Sequence, residues 1–191
     1  MSLVKLTVQD FVEQLASASP TPGGGSASAF VGAVAAGLVE MACNLTIGRE
    51  KFRDVEKELT LVLSRAGELR VAMLAAVDED TDAYGAVSQA YKLPKATDEE
   101  KHARIAAIQQ ALKDATIVPL NVAKAALETS QLAQIALEKC NPNVSSDARV
   151  ARGLALAARE GATANVEINL GSITDLDFVT KIQEDLQGLQ G

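Results

Sequence analysis

The apolar positions of this chain recur at helical spacing along its whole length. Apolar residues three and four apart predict a helix, whereas alternation predicts a strand, and no alternation longer than a few residues occurs. The longest pattern begins at Phe52 and ends near Leu93-Pro94. Its apolar stripe consists of Phe52, Val55, Leu59, Val62, Ala66, Leu69, Met73 and Ala76. This segment therefore predicts one very long helix.

Capping residues and helix breakers divide the remaining chain into further helices. Thr7, Thr97 and Thr174 are predicted N-caps, and Ser26 or Gly25 is predicted to cap the second helix. A kink is expected at Pro119. The helices are predicted at about residues 7–18, 26–46, 52–93, 97–139, 145–170 and 174–186. We expect one all-α domain over residues 1–191, a bundle of about six helices.

Composition supports this fold class and limits the function. Hydrophobic residues make up 48% of the 191 residues but aromatic residues only 3%, which favours closely packed helices. The net charge of −7 argues against a nucleic-acid partner, which requires a basic face. Prolines and glycines interrupt the longest uncharged run, so no membrane partner is expected. Two cysteines without metal-ligand or CxxC spacing fit a reduced, cytoplasmic location.

The segment PTPGGGS at residues 20–26 precedes the second helix and is a candidate binding loop. Glycines leave the backbone accessible, and free N–H groups at a helix N-terminus can bind a carboxylate, a phosphate or another acceptor. The same glycines are equally explained by close packing of the loop. The candidate substrate-binding residues here are Pro22, Gly23, Gly24, Gly25 and Ser26.

Asp80 continues the apolar stripe of the long helix and is the candidate catalytic residue. A carboxylate on a buried face costs free energy unless it is paired or protonated, and such a group is a candidate general acid and base. The alternative is a structural Asp80 bonded to a buried serine, asparagine or arginine. Asp78 and Asp82 are expected on the opposite, solvated face.

Two further groups of polar residues are candidate substrate contacts. One comprises Asn143, Ser146, Asp147, Asn165 and Asn169 in the C-terminal third of the chain. Buried amides either join helices or present donors and acceptors to a heterocycle. The other group contains Arg49 and Lys51, beside Arg53, which could attract a polyanionic tail or simply form a solvated surface.

A homodimer is expected because of the long helix. A helix of about 40 residues is roughly 60 Å long, more than a compact domain of this size needs. A second copy would cover the remainder of its stripe. Rows of small residues on the second helix would allow a close approach; they are Ser28, Gly32 and Ala36, and Ala29, Ala33 and Gly37.

An ordered set of motifs over nearly the whole chain resembles a known family. The motifs are PTPGGGS at 20–26, LTIG at 45–48, DEDTDAY at 78–84, LP at 93–94 with TDEEK at 97–101, VPL at 118–120, SD at 146–147 and NVEINL at 165–170. Together they resemble the C-terminal domain of formiminotransferase-cyclodeaminases. They also resemble its free-standing bacterial relatives, the formiminotetrahydrofolate cyclodeaminases and methenyltetrahydrofolate cyclohydrolases.

The resemblance implies an all-α dimeric enzyme with a folate substrate and with Asp80 as the catalytic acid and base. We expect cyclisation of 5-formiminotetrahydrofolate to 5,10-methenyltetrahydrofolate with release of ammonia, and neither a metal nor a cofactor. The alternative reaction is hydrolysis of 5,10-methenyltetrahydrofolate to 10-formyltetrahydrofolate in the same pocket. A function of another class, a non-catalytic folate-binding or scaffold dimer, also fits the composition.

Overall fold

The chain folds into helices connected by short loops, in a computed structural model that describes residues 2–189. The six α-helices of this part are α1 (Val8–Leu15), α2 (Gly24–Asn44), α3 (Glu56–Tyr91), α4 (Asp98–Lys139), α5 (Ser145–Leu170) and α6 (Leu176–Gln187). Short 3₁₀ turns lie at Leu3–Lys5, Glu50–Val55 and Pro142–Val144. The predicted all-α class is confirmed. The two longest helices are α3 with 36 residues and α4 with 42, where the sequence predicted helices over about residues 52–93 and 97–139.

Two predicted helix starts are confirmed by their capping hydrogen bonds. Thr7 accepts the N–H of Asp10 at the start of α1. Thr97 and Glu100 form a reciprocal capping box at the start of α4. That helix continues without a break through Pro119. Strong local capping signals therefore located these ends correctly.

Other predicted boundaries are wrong. The N-cap of α2 is Gly23, so Gly25 and Ser26 lie inside the first turn. The N-cap of α6 is Asp175, whose carboxylate accepts the N–H of Phe178, while the Thr174 hydroxyl donates to Gln109. The first helix ends at residue 15, and residues 50–55 form a 3₁₀ turn before the long α3. These differences are of a few residues each, at helix ends, which are the least precisely defined parts of a helix.

The small residues of α2 allow it to pack centrally against α3, α4 and α5. A Cβ at Gly32 would lie 2.5 Å from Met73 Sδ, and one at Gly161 would lie 2.4 Å from Ser28 Oγ. The apolar stripe of α3 is likewise buried within the chain, with Leu59 and Ala66 fully buried. Both features serve packing inside one chain, so neither supports the expected dimer.

Within the described residues, only α2 is long and apolar enough to cross a membrane by length and composition. Its most apolar window has a mean hydropathy of 1.6, and 56% of that window is buried inside the fold. The proline and glycine loop precedes this helix, and the absence of a membrane partner stays a prediction. A buried core helix of a globular fold satisfies the same criteria.

Candidate functional site

A cavity of about 270 Å³ lies at the N-terminal end of α2, between this helix and α3, α4 and α5. It is lined by Pro20, Thr21, Gly23, Gly24, Gly25, Asp80, Ala83, Tyr84, Val87, Ala115, Asn165 and Asn169. A larger hollow of about 510 Å³ lies between α5 and α6 and contains none of these residues. The smaller cavity is the better candidate because a carboxylate, two amides and a helix N-terminus converge on it.

Asp80 is half-buried on α3 and is held by Ser26 of α2. Its Oδ2 accepts hydrogen bonds from the Ser26 N–H at 2.8 Å and from the Ser26 hydroxyl at 2.9 Å. The hydroxyl also lies 3.0 Å from the Val77 carbonyl oxygen, and Ser26 is fully buried. These hydrogen bonds fix the direction of the carboxylate at the N-terminal end of α2. Within residues 2–189, Oδ1 has no hydrogen-bond partner and is available for proton transfer.

The glycines of the loop allow the carboxylate and an amide to approach the backbone of α2. A Cβ at Gly25 would lie 2.0 Å from Asp80 Oδ1, and a Cβ at Gly24 would lie 3.2 Å from Asn165 Nδ2. Neither glycine has a positive φ; Gly48 is the only glycine of the described residues that does. Close packing therefore explains these glycines. Because both lie in the first turn of α2, their N–H groups have no partner within the helix, and they are unbonded within residues 2–189 beside the cavity.

Asn165 and Asn169 lie one turn apart on α5 and line the same cavity. Asn165 Nδ2 donates to the Gly161 carbonyl oxygen of its own helix at 2.7 Å. Asn169 Nδ2 donates to the Ala115 carbonyl oxygen of α4 at 3.1 Å. Each amide nitrogen is thus anchored, and neither Oδ1 has a protein partner among the described residues. The two side chains present acceptors to a ligand in the cavity.

The remaining polar candidates lie at the other end of the bundle. Arg49 and Lys51 follow the C-terminus of α2, which is about 30 Å from its N-terminus for a helix of 21 residues. Asn143, Ser146 and Asp147 lie at that same end, where the Asn141 N–H donates to Thr46 Oγ1 at 2.9 Å. One chain therefore does not bring these five residues to the Asp80 cavity.

Two other predicted placements need comment. Pro22 is buried and does not line the cavity, and Ser26 contributes by holding Asp80. Asp78 is not solvated as expected, because it accepts hydrogen bonds from the Ser2 hydroxyl at 2.7 Å and the Leu3 N–H at 2.5 Å. Asp82 is exposed, as expected.

Sequence reasoning did not assign three residues of α3 that line the cavity. Ala83, Tyr84 and Val87 follow Asp80 by one to two turns. The available signal was the stripe itself, since positions four and seven after Asp80 share its helix face. Within residues 2–189, no group of three or more His, Cys, Asp or Glu side chains could hold a metal ion.

Comparison with known proteins finds relatives that match nearly the whole chain. The chain is 46% identical over 183 residues to methenyltetrahydrofolate cyclohydrolase of Methylorubrum extorquens, covering 96% of this chain and 88% of that protein. It is 32% identical to formimidoyltransferase-cyclodeaminase of Mus musculus over 98% of this chain but only 35% of that longer protein.

A solved structure and a family model match the chain over nearly its whole length. The crystal structure of formiminotetrahydrofolate cyclodeaminase from Thermotoga maritima matches with a TM-score of 0.87 and 31% identity, covering 97% of this chain and 89% of that one. The sequence model of the family described as formiminotransferase-cyclodeaminase matches residues 7–188. The chain therefore belongs to the formiminotransferase-cyclodeaminase family.

Proposed function

We propose that this protein is a folate enzyme that hydrolyses 5,10-methenyltetrahydrofolate to 10-formyltetrahydrofolate, with Asp80 as the proton-transfer group. The observation that carries this proposal is the Asp80 carboxylate, which has one oxygen held by Ser26 and the other unbonded within residues 2–189. The 46% identity to a cyclohydrolase of nearly the same length favours hydrolysis, the second of the two reactions that the sequence suggested.

The proposed reaction moves protons and breaks a carbon–nitrogen bond. Asp80 takes one proton from a water as its oxygen attacks the methenyl carbon. When the bond from that carbon to N5 breaks, Asp80 returns the proton to N5. The second proton of the water leaves to solvent and the formyl group remains on N10. A single carboxylate is sufficient for these proton transfers.

The other cavity residues are proposed to position the substrate. The N–H groups of Gly24 and Gly25 can donate to an oxygen of the substrate or of the attacking water. The unbonded oxygens of Asn165 and Asn169 can accept from N–H groups of the pterin ring. A complete tetrahydrofolate derivative needs more space than the cavity's volume of about 270 Å³. Its benzoyl-glutamate part would therefore extend outside the cavity.

Cyclisation of 5-formiminotetrahydrofolate is the second candidate, favoured by the name of the matching Thermotoga maritima structure. Here N10 attacks the protonated formimino carbon, and Asp80 takes the proton of N10 and gives it to the departing nitrogen. Ammonia leaves, and the methenyl cation is the product. The geometry of Asp80 suits both reactions, because each passes through a tetrahedral carbon beside N5 and N10.

An ultraviolet assay of methenyltetrahydrofolate separates these candidates. Purified protein is given 5,10-methenyltetrahydrofolate in one experiment and 5-formiminotetrahydrofolate in another, with no-enzyme controls for spontaneous hydrolysis and cyclisation. Loss of the methenyl absorbance above the control identifies the hydrolase, and its appearance identifies the cyclodeaminase. Folate binding without turnover of either substrate would contradict both and identify a non-catalytic folate-binding protein.

We also propose that the protein is a homodimer joined through an apolar stripe of α2. The stripe consists of Val31, Val34, Leu38, Met41 and Leu45, at alternating spacings of three and four residues. These side chains are half-buried or exposed, and Val34 and Leu45 are both 40% exposed. A helix that is apolar on all sides is normally buried on all sides. A second copy packed on this face would complete its burial.

The dimer bears on the residues remote from the cavity. Arg49 and Lys51 lie about 30 Å from the cavity of their own chain, and a second protomer would offer them another route to a bound substrate. Changing both to Gln should then weaken binding of polyglutamylated folate more than that of the monoglutamate, and high salt should reduce the difference. Equal effects on both folates would identify a solvated surface.

A further inference from the structure

Pro119 interrupts the hydrogen-bond ladder of α4 beside the cavity. Proline has no backbone N–H, so the Ala115 carbonyl four residues earlier lacks its helical donor. The proline ring also clashes with that carbonyl and turns it away from the helix axis. Ala115 and Pro119 are both buried, and Ala115 lines the cavity. A carbonyl freed at this place needs another donor.

The donor is the side chain of Asn169, which reaches across from α5. Its Nδ2 lies 3.1 Å from the Ala115 oxygen, although the two residues are 54 positions apart in sequence. This bond fixes which end of the amide faces α4. The other end, Oδ1, has no partner among residues 2–189, and Asn169 lines the cavity.

We propose that Pro119 is a positioning residue of the folate site and acts through Asn169. By freeing the Ala115 carbonyl, it anchors Nδ2 and presents Oδ1 as an acceptor for an N–H of the pterin ring. This inference rests on the proposed folate substrate. A proline inside a helix is strongly unfavourable compared with alanine, and here that cost coincides with a contact to a cavity residue.

Four variants test this chain of contacts: Pro119→Ala, Asn169→Ala, the double variant and the control Pro94→Ala. Pro94 is exposed in the loop between α3 and α4 and does not line the cavity. Alanine at 119 restores the N–H that the Ala115 carbonyl lacks, so the helix should remain folded. Circular dichroism and thermal melting check this for each protein.

The first measurements are kcat and KM with the active substrate, and Kd for tetrahydrofolate, which has the pterin N–H groups but no reacting carbon. We expect Pro119→Ala and Asn169→Ala each to raise Kd and KM about tenfold, the scale of one lost hydrogen bond, with kcat changed less than about threefold. The double variant should be no weaker than Asn169→Ala, and Pro94→Ala should equal wild type. Losses that add in the double variant, or an unchanged Pro119→Ala, would overturn the proposal.

A second readout does not depend on folate. The side-chain amide of Asn169, identified in ¹H–¹⁵N spectra by its loss in Asn169→Ala, should exchange slowly with solvent in wild type and faster in Pro119→Ala. Equal exchange in the two proteins would show that Pro119 does not anchor Asn169. If wild type neither binds tetrahydrofolate nor turns over either substrate, the proposed function fails, while this readout still decides whether Pro119 orients the amide.

Discussion

At the scale of single residues, Asp80 depends on two neighbours in the first turn of α2. Ser26 supplies two donors to Oδ2, and Gly25 leaves the space that the carboxylate occupies. Two hydrogen bonds from one residue hold the carboxylate in a fixed direction. The same arrangement would be lost if either α2 or α3 were displaced along its axis.

Asp80→Asn should abolish turnover while keeping the fold. The amide has nearly the same shape and its oxygen can still accept from Ser26, but it cannot take up a proton at neutral pH. We expect kcat to fall by about 10²-fold or more, with little change in thermal stability. The check is the ultraviolet assay with purified protein of confirmed helicity. Wild-type turnover by Asp80→Asn would show that another group transfers the proton.

Gly25→Ala should displace the Asp80 carboxylate. The added methyl would lie 2.0 Å from Oδ1, closer than real contacts allow, so the carboxylate must move. We expect kcat to fall about 10²-fold, because misplacement of a reacting group by about 1 Å has a cost of this size. The matched control is Gly85→Ala on α3, where nothing lies within 4 Å of the new Cβ. Equal activity of the two variants would contradict the steric argument.

Some of this residue-scale site could be predicted from sequence. Asp80 breaks an apolar stripe, and that break is visible in the spacing alone. The bond between Asn169 and Ala115 joins residues 54 positions apart, and the Gly25 contact with Asp80 joins residues 55 apart. Such contacts depend on how helices pack, which a local pattern does not specify.

At the scale of elements, the helix ends show where local signals are sufficient. Thr97 has Glu100 at the third position and acids in the first turn, and this strong signal located the start of α4. Thr174 and Asp175 are adjacent capping residues of similar strength. A contact from another helix separates them. The Thr174 hydroxyl donates a hydrogen bond to Gln109 of α4, and Asp175 is the N-cap of α6.

Acid should loosen α6 from α4. Asp175 accepts hydrogen bonds from Lys113 Nζ at 2.6 Å and from the Phe178 N–H at 3.1 Å. Both lower the pKa of the Asp175 carboxyl, and the bond from Lys113 has the larger effect. Because the folded-state pKa is the lower one, this stabilisation is present above the unfolded value of about 4 and is lost as pH falls through the folded value. The protection factors of the α6 amides, which are exchange rates corrected for the intrinsic rate at each pH, should therefore fall below about pH 4.

Two substitutions identify the source of this effect. Asp175→Asn keeps a capping oxygen but loses the ion pair, so α6 exchange should be faster than wild type at pH 7 and should lose its acid step. Asp175→Ala loses both interactions and should exchange faster still. An acid step of unchanged size in Asp175→Asn would assign it to a different carboxyl group.

At the scale of the whole molecule, the bundle separates residues that the sequence grouped together. Asn143 and Ser146 lie at the end of α5 opposite Asn169, although all three were predicted to be substrate contacts. Residue type and polarity suggested them, but their distance from the cavity follows from helix length and direction. The same holds for the dimer, whose expected basis on α3 is buried inside the chain.

The α2 stripe leads to the last prediction, a dimer that a single charge can separate. Val34 lies in the middle of the stripe and is 40% exposed, so we expect the isolated chain to tolerate aspartate there. In the dimer the same carboxylate would be buried with no opposite charge beside it. We expect light scattering at micromolar concentration to give twice 20.0 kDa for wild type and 20.0 kDa for Val34→Asp. The dimer dissociation constant should rise by about 100-fold or more.

Leu61→Asp is the matched control, because Leu61 is 68% exposed on α3 and is not part of the α2 stripe. It should remain a dimer with wild-type melting, which would show that loss of an exposed leucine alone does not separate the protomers. A wild-type protein of 20.0 kDa at micromolar concentration with full activity would exclude an obligate dimer. Binding of that monomer, but not of Val34→Asp, to lipid vesicles would then assign the stripe to a membrane surface.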